Sequence, residues 1–158
     1  MNEASVTAYT DGQRRLAGIV AAACDPDDPL AVKVEASLGA AFSLLSADPG
    51  LAFLLTIRPE RAADLHRLQS DWHRHYGSIL RHAAAEDGAP ELPFFLEPAL
   101  IAGIGFAVAQ YVRRGEASQL LTCLLPTARW YLLSYYLPPE KAMRLGVEAL
   151  PDGDRHPR

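Results

Sequence analysis

The side chains able to bind a metal or move a proton are five histidines, two cysteines and scattered carboxylates. His66, His73, His75 and His82 fall within one helical stretch. On an ideal helix His66 and His73 share one flank of Trp72, and His75 and His82 share the other. Metal ligands on one helix favour a spacing of three or four residues, whereas these pairs are seven apart. No cysteine or carboxylate cluster completes a coordination shell, so no metal is expected. Asp71 and His75 stand at i,i+4 as a potential acid–base pair. No nucleophile, Gly-x-Ser-x-Gly elbow or phosphate loop accompanies them. Gly103 and Gly105 lie within a helical run instead of a strand-to-helix turn, so they make no dinucleotide fingerprint. The expectation is a non-enzyme, with no catalytic residue and no cofactor.

A binding pocket is the better candidate. Trp72 and Tyr76, with Phe42, Phe53, Ile57 and Phe106, have the chemistry to line a site for a small apolar or aromatic effector. His73, beside them, has two readings: a hydrogen-bond donor to such a ligand, or a partly exposed histidine at the helix edge. The same aromatics serve equally well as ordinary core, and the sequence leaves both readings open.

Composition narrows the class. At 158 residues, 49% apolar and 22% charged, the chain fits one globular domain of residues 4–150, with 151–158 expected to be disordered. The net charge is -4, and the 15 basic residues form no cluster. Binding DNA needs a concentrated basic surface, so this chain alone is not expected to bind it. Cys24 and Cys123 lie singly in apolar runs, which fits a reducing cytoplasm better than a disulfide framework. The opening MNEASVTAYTDG does not read as a signal peptide. The apolar run 98–112 is too short to span a membrane, so no membrane association is expected.

The elements that hold these residues read as about six helices. The first, roughly 4–23, sets Val6, Tyr9, Gln13, Leu16, Val20 and Ala23 on one face. Asp28-Pro29 and Asp48-Pro49 each read as an N-cap with proline at the first helical position. The second helix carries Leu30, Val34, Leu38, Ala41, Phe42 and Leu45 inward. A short third, 51–57, is apolar nearly all round. The fourth, from Pro59 to about residue 85, has an inner stripe of Leu65, Leu68, Trp72, Tyr76, Ile79 and Ala83. Glu60, Asp64, Arg67, Asp71, Arg74, Ser78 and Arg81 lie opposite as a solvated face of weak ion pairs, each worth about 0.2–0.5 kcal/mol. Gly88 and Gly115 are the expected stops of the fourth and fifth helices.

The fifth helix, roughly 94–114, is apolar on every side between Ala99 and Val112 except at Gln110 and the Tyr111 phenol. Such a helix needs cover all round, and a small chain covers one side. A second copy is the natural cover for the other. Ala99, Gly103 and Ala107 form a small-residue stripe that would admit a partner backbone. The sixth helix, about 117–137, is interrupted by Pro126, which removes a backbone donor and forces a kink. A short helix over 139–150 follows. Homodimer contacts are therefore expected at Ala99, Gly103, Phe106, Ala107 and Gln110, and at Leu121, Leu124, Leu125, Ala128, Leu132 and Tyr135.

The order of these strings resembles the C-terminal half of TetR-type (tetracycline-repressor-like) regulators. Glu91-Leu92-Pro93 precedes a helix containing Leu100-Ile101-Ala102-Gly103-Ile104, similar to that family's "ELP…LVGGI". Arg113-Arg114-Gly115-Glu116 is similar to its "RxGE" turn. Leu124-Leu125-Pro126, then Tyr135-Tyr136-Leu137 and Pro139-Glu140-Lys141-Ala142, resemble its "LLPxLLxxLLxPYLGPEEA" ending. Ala47-Asp48-Pro49 with Ala52 resembles "AADPxLA". The likeness runs from Val6 to Ala142, but nothing before Val6 resembles the family's helix-turn-helix or its "YxHFxxKExL" signature. It implies an all-α effector-binding domain that dimerises through its last two long helices as a four-helix bundle, here without the recognition helix. The alternatives are a stand-alone protein that heterodimerises with full-length paralogues and blocks their DNA binding, and a small helical enzyme or carrier.

Overall fold

The computed structural model describes residues 3–149 of the chain. Among them are seven α-helices and no strand, the all-α class expected. They are α1 (Glu3–Ala23), α2 (Leu30–Ala47), α3 (Pro49–Thr56), α4 (Ala63–Glu86), α5 (Leu96–Arg113), α6 (Leu125–Leu133) and α7 (Pro139–Ala149). Leu150 and the 151–158 tail, expected to be disordered, lie outside the described residues.

Local chemistry sets most of these boundaries. The Asp48 carboxylate accepts the Leu51 N–H at 2.9 Å and receives Arg15 at 2.8 Å, and Pro49 opens α3. Those two bonds hold the Asp48 carboxyl below the usual range, the backbone bond contributing most. Asp28 behaves differently from Asp48. Pro29 itself stands at the α2 N-cap with no side-chain cap, while Asp25 organises the turn by accepting the Asp27 N–H.

The helix stops at Gly88 and Gly115 are as expected, with φ of 70° and 72°. After α4, Ala89 donates to the Ala84 carbonyl and Gly88 to that of Ala85. After α5, Glu116 donates to Tyr111 and Gly115 to Val112. Both pairs have the 6→1 and 5→2 pattern of a left-handed helix terminus.

The fourth and sixth expected helices differ from their sequence reading. Pro59 opens a separate 3-10 turn, Arg58–Arg61, and α4 begins only at Ala63. The expected sixth helix is a 3-10 turn (Ala117–Gln119), a π turn (Leu120–Leu124) and then α6. In the π turn the Leu125 N–H reaches back to the Leu120 carbonyl. Pro126 cannot donate, and its ring collides with the carbonyl four residues back in a regular helix. One wider turn ahead of it accommodates both facts.

α2 runs between α1 and α6, α3 lies against α1 and α5, α4 packs along α5, and α7 closes over α6. By length and composition α2 is the one described helix able to cross a membrane. In this fold its stripe of Leu30, Val34, Leu38, Phe42 and Leu45 is core. Two close crossings depend on glycine. A Cβ on Gly12 would stand 2.8 Å from Leu51 Cδ1, and one on Gly77 would stand 2.7 Å from the Pro98 backbone nitrogen.

The Gly77 contact is with backbone, so it has little room to yield. Gly77→Ala is expected to destabilise the chain by about 1–3 kcal/mol through overpacking. A Cβ on Gly18, in α1, would meet nothing within 4 Å, so Gly18→Ala should stabilise by about 0.5–1 kcal/mol. Urea denaturation of both variants measures the opposite signs.

Candidate functional site

The α4–α5 hairpin carries most of the candidate residues, and charge pairs fix its register. Glu97, in the first turn of α5, is 1% exposed. Arg81 Nε donates to Glu97 Oε1 at 3.1 Å and Nη2 to Oε2 at 2.6 Å, and Nη2 also reaches the Pro93 carbonyl at 3.3 Å. Such a two-pronged bond is among the stronger polar contacts a protein makes. The Glu97 bond also holds the Arg81 guanidinium more firmly protonated than usual. At the other end Arg113 pairs with Glu60. Arg81 is therefore not part of the solvated face expected of it. Half-buried, it faces α5, and Ile79, expected inside, is exposed.

Trp72, His73 and Tyr76 all lie on α4. The Trp72 and Tyr76 rings stack at 5.1 Å, and His75 meets each edge-on at 5.8 Å. His73 turns toward α5, where a Cβ on Gly105 would lie 3.6 Å from its Nε2. Burial first, and His66 second, lower the His73 pKa below 6.5. The hydroxyls of Tyr76 and Tyr136 are buried without a hydrogen-bond partner. The other four pocket candidates lie apart from this trio. Phe42 and Ile57 are core, and Phe53 and Phe106 are exposed. Two open clefts lie elsewhere: about 350 Å³ between α2, α6 and α7, and about 240 Å³ between the start of α1 and the 3-10 turn before α4. None of the seven candidates lines either one.

The interface candidates divide by depth. Ala99, Phe106, Leu121 and Tyr135 are exposed, and Gly103, Ala107, Gln110 and Leu125 are half-buried. Leu124, Ala128 and Leu132 are buried by the chain's own helices, in the same core as α2. Gly103 has a neighbour within the chain, since a Cβ there would stand 2.8 Å from the Tyr131 hydroxyl. Phe106 is 64% exposed, and just before α5 Phe94 and Phe95 are 80% and 60% exposed.

Sequence reasoning passes over Phe94, Phe95 and Glu97. The phenylalanines follow Pro93 where the helix starts, and helical periodicity assigns no face to a residue at that point. Glu97 reads in sequence as a first-turn carboxylate complementing the helix dipole, a role that exposed residues fill too. Among the described residues no group of three His, Cys, Asp or Glu side chains is placed to hold a metal ion. Asp71 pairs with Arg74 rather than His75.

Arg81→Met strands the Glu97 carboxylate in the core, whereas Arg74→Met leaves an exposed Asp71 in water. The denaturation midpoint should drop clearly for the first and hardly at all for the second. Alkali gives a second measurement. Burial pushes the Tyr76 and Tyr136 hydroxyls up to about 12 from 10.0, with Glu97 adding to the rise at Tyr136. The folded chain keeps these protons where unfolded phenols lose them. Their contribution to stability is therefore complete below pH 10 and is lost as pH climbs toward about 12. Tyrosinate absorbance followed alongside circular dichroism should show these two hydroxyls ionising as the helices melt.

Compared with known protein families, with curated proteins and with solved structures, the chain matches none.

Proposed function

We propose that this chain is a TetR-like effector-binding and dimerisation domain that pairs with a second copy through the outer face of α5. The observation that carries the reading is the row Ala99, Ala102, Phe106 and Gln110. These residues recur at three- and four-residue steps and so share one face. Phe106 stands out from it into solvent, and Phe95 and Tyr135 are exposed as well. No charged side chain occurs between Ala99 and Val112. An uncharged helix face that holds a large aromatic ring out in water is a candidate contact surface. A twofold axis across this face would set Phe106 of each copy over the small side chains of the other, the self-complementary arrangement a symmetric pair requires.

For the effector, the reading draws on Trp72, His73 and Tyr76. Trp72 and Tyr76 stack, His73 lies beside them on the same helix facing α5, and the Tyr76 hydroxyl is buried without a hydrogen-bond partner. The net charge of -4 supports a role that leaves DNA contact to other segments. A cytoplasmic location belongs to the same reading.

Phe106→Asp is the direct test, because the residue is exposed and its replacement spares the core. Light scattering after size exclusion should give a dimer for the natural chain and a folded monomer for the variant, with unchanged helical circular dichroism. A natural chain that stays monomeric at high micromolar concentration defeats the reading. A variant that still dimerises removes α5 as the contact.

A further inference from the structure

The cleft between α2, α6 and α7 has a different character from the pairing face, and it holds no residue from that face. Its volume of about 350 Å³ falls in the range of small-molecule sites, roughly 300–1,000 Å³. The floor is aliphatic, from Val32 on α2, Leu133 at the end of α6, Leu137 in the connection to α7, and Leu145 on α7. The rim carries three cations, Arg129, Lys141 and Arg144, and two carboxylates, Glu35 and Glu148.

Three cations line the cleft, and they are not equivalent. Arg129 is already engaged, with Nη1 on Glu35 of α2 at 3.0 Å and Nη2 on Glu148 of α7 at 2.9 Å. It spans the cleft and ties its two walls together. Lys141 and Arg144 stand three residues apart on α7, both exposed, and neither pairs with a carboxylate among the described residues. Like charges one helical turn apart repel. An anion between them relieves that repulsion, and a guanidinium fork suits a carboxylate in particular.

From the aliphatic floor and this charged pair at its edge, we propose that the cleft binds an amphipathic monoanion of the medium-chain carboxylate class. The carboxylate sits on Lys141 and Arg144, and the hydrocarbon chain lies along Val32, Leu133, Leu137 and Leu145. A neutral hydrocarbon leaves the cations unanswered, and a bare inorganic anion leaves the floor wet. Only a ligand with both parts uses the whole cleft. The site is independent of dimerisation, so the two proposals stand or fall separately.

Calorimetric titration of the full chain with decanoate, decan-1-ol and inorganic phosphate, below the micelle-forming range, tests this. Decanoate should bind saturably with one molecule per chain, decan-1-ol at least tenfold more weakly, and phosphate not measurably. The double variant Lys141→Gln/Arg144→Gln replaces two exposed side chains, and circular dichroism checks that its fold is intact. It should weaken decanoate at least tenfold and leave decan-1-ol unchanged. Amide chemical shifts should move around Val32, Leu137 and Leu145. The proposal is overturned by an absence of saturable decanoate binding, by equal affinity for the alcohol, by an unaffected double variant, or by shifts confined to other helices.

Discussion

A carboxylate sealed inside a helical protein constrains everything around it. Glu97 is 1% exposed, and taking a charge of that kind out of water costs several kcal/mol unless a partner answers it at close range. Arg81 answers with two parallel bonds, and its remaining reach is taken by the Pro93 carbonyl just ahead of α5. Neither side chain can slide by a residue without abandoning the other. One turn before Arg81, Gly77 admits Pro98 so closely that no larger residue fits. The ion pair and the close crossing together set the register of α4 against α5, and the Glu60–Arg113 pair holds the far end. Tyr136, near enough to feel both charges of the Arg81–Glu97 pair, brings the end of the α6 segment to the same place.

That junction explains which parts of the fold are legible in the sequence. Helix ends made by short-range chemistry read correctly: Asp48 with Pro49, Gly88 and Gly115 each act on backbone groups within a few residues. The inner face of α4 does not. Periodicity weighs large apolar side chains and so favours Trp72, Tyr76 and Ile79. Burial in the second half of α4 instead follows Gly77, Leu80 and Ala84. Small residues decide that face because they let α5 come close, and a hydrophobic pattern gives a glycine no weight. The same pattern assigns Arg81 to solvent. On its own helix it looks like one more partner in a surface ladder, and only Glu97, 16 residues on, makes it an internal group.

The sixth segment shows a second limit. Pro126 announces a break, and the break is present, but its form depends on hydrogen bonds that sequence spacing does not specify. The chain widens by one residue, so that the Leu125 N–H bonds to Leu120 and the turn meets the proline without a clash. This rotates the following residues relative to a continuous helix. Leu124, Ala128 and Leu132 lie in the chain's own core. The candidate site is legible in part for a related reason. Trp72 and Tyr76 are one turn apart on one helix and stack, whereas Phe42, Phe53, Ile57 and Phe106 depend on tertiary placement and scatter.

The exposure of Phe106 follows from the same junction. A helix with an apolar outer face can often roll to bury it, since rolling trades one set of nonpolar contacts for another at little cost. α5 has no such freedom. Rolling it would pull Glu97 off Arg81 and drive the Pro98 ring into α4, leaving a charge without a partner in a dry interior. The row of Ala99, Ala102 and Phe106 is therefore held outward by polar chemistry at its base, before any partner arrives. A surface fixed in this way would lose little further freedom in the proposed pairing, because the face is already ordered in the single chain.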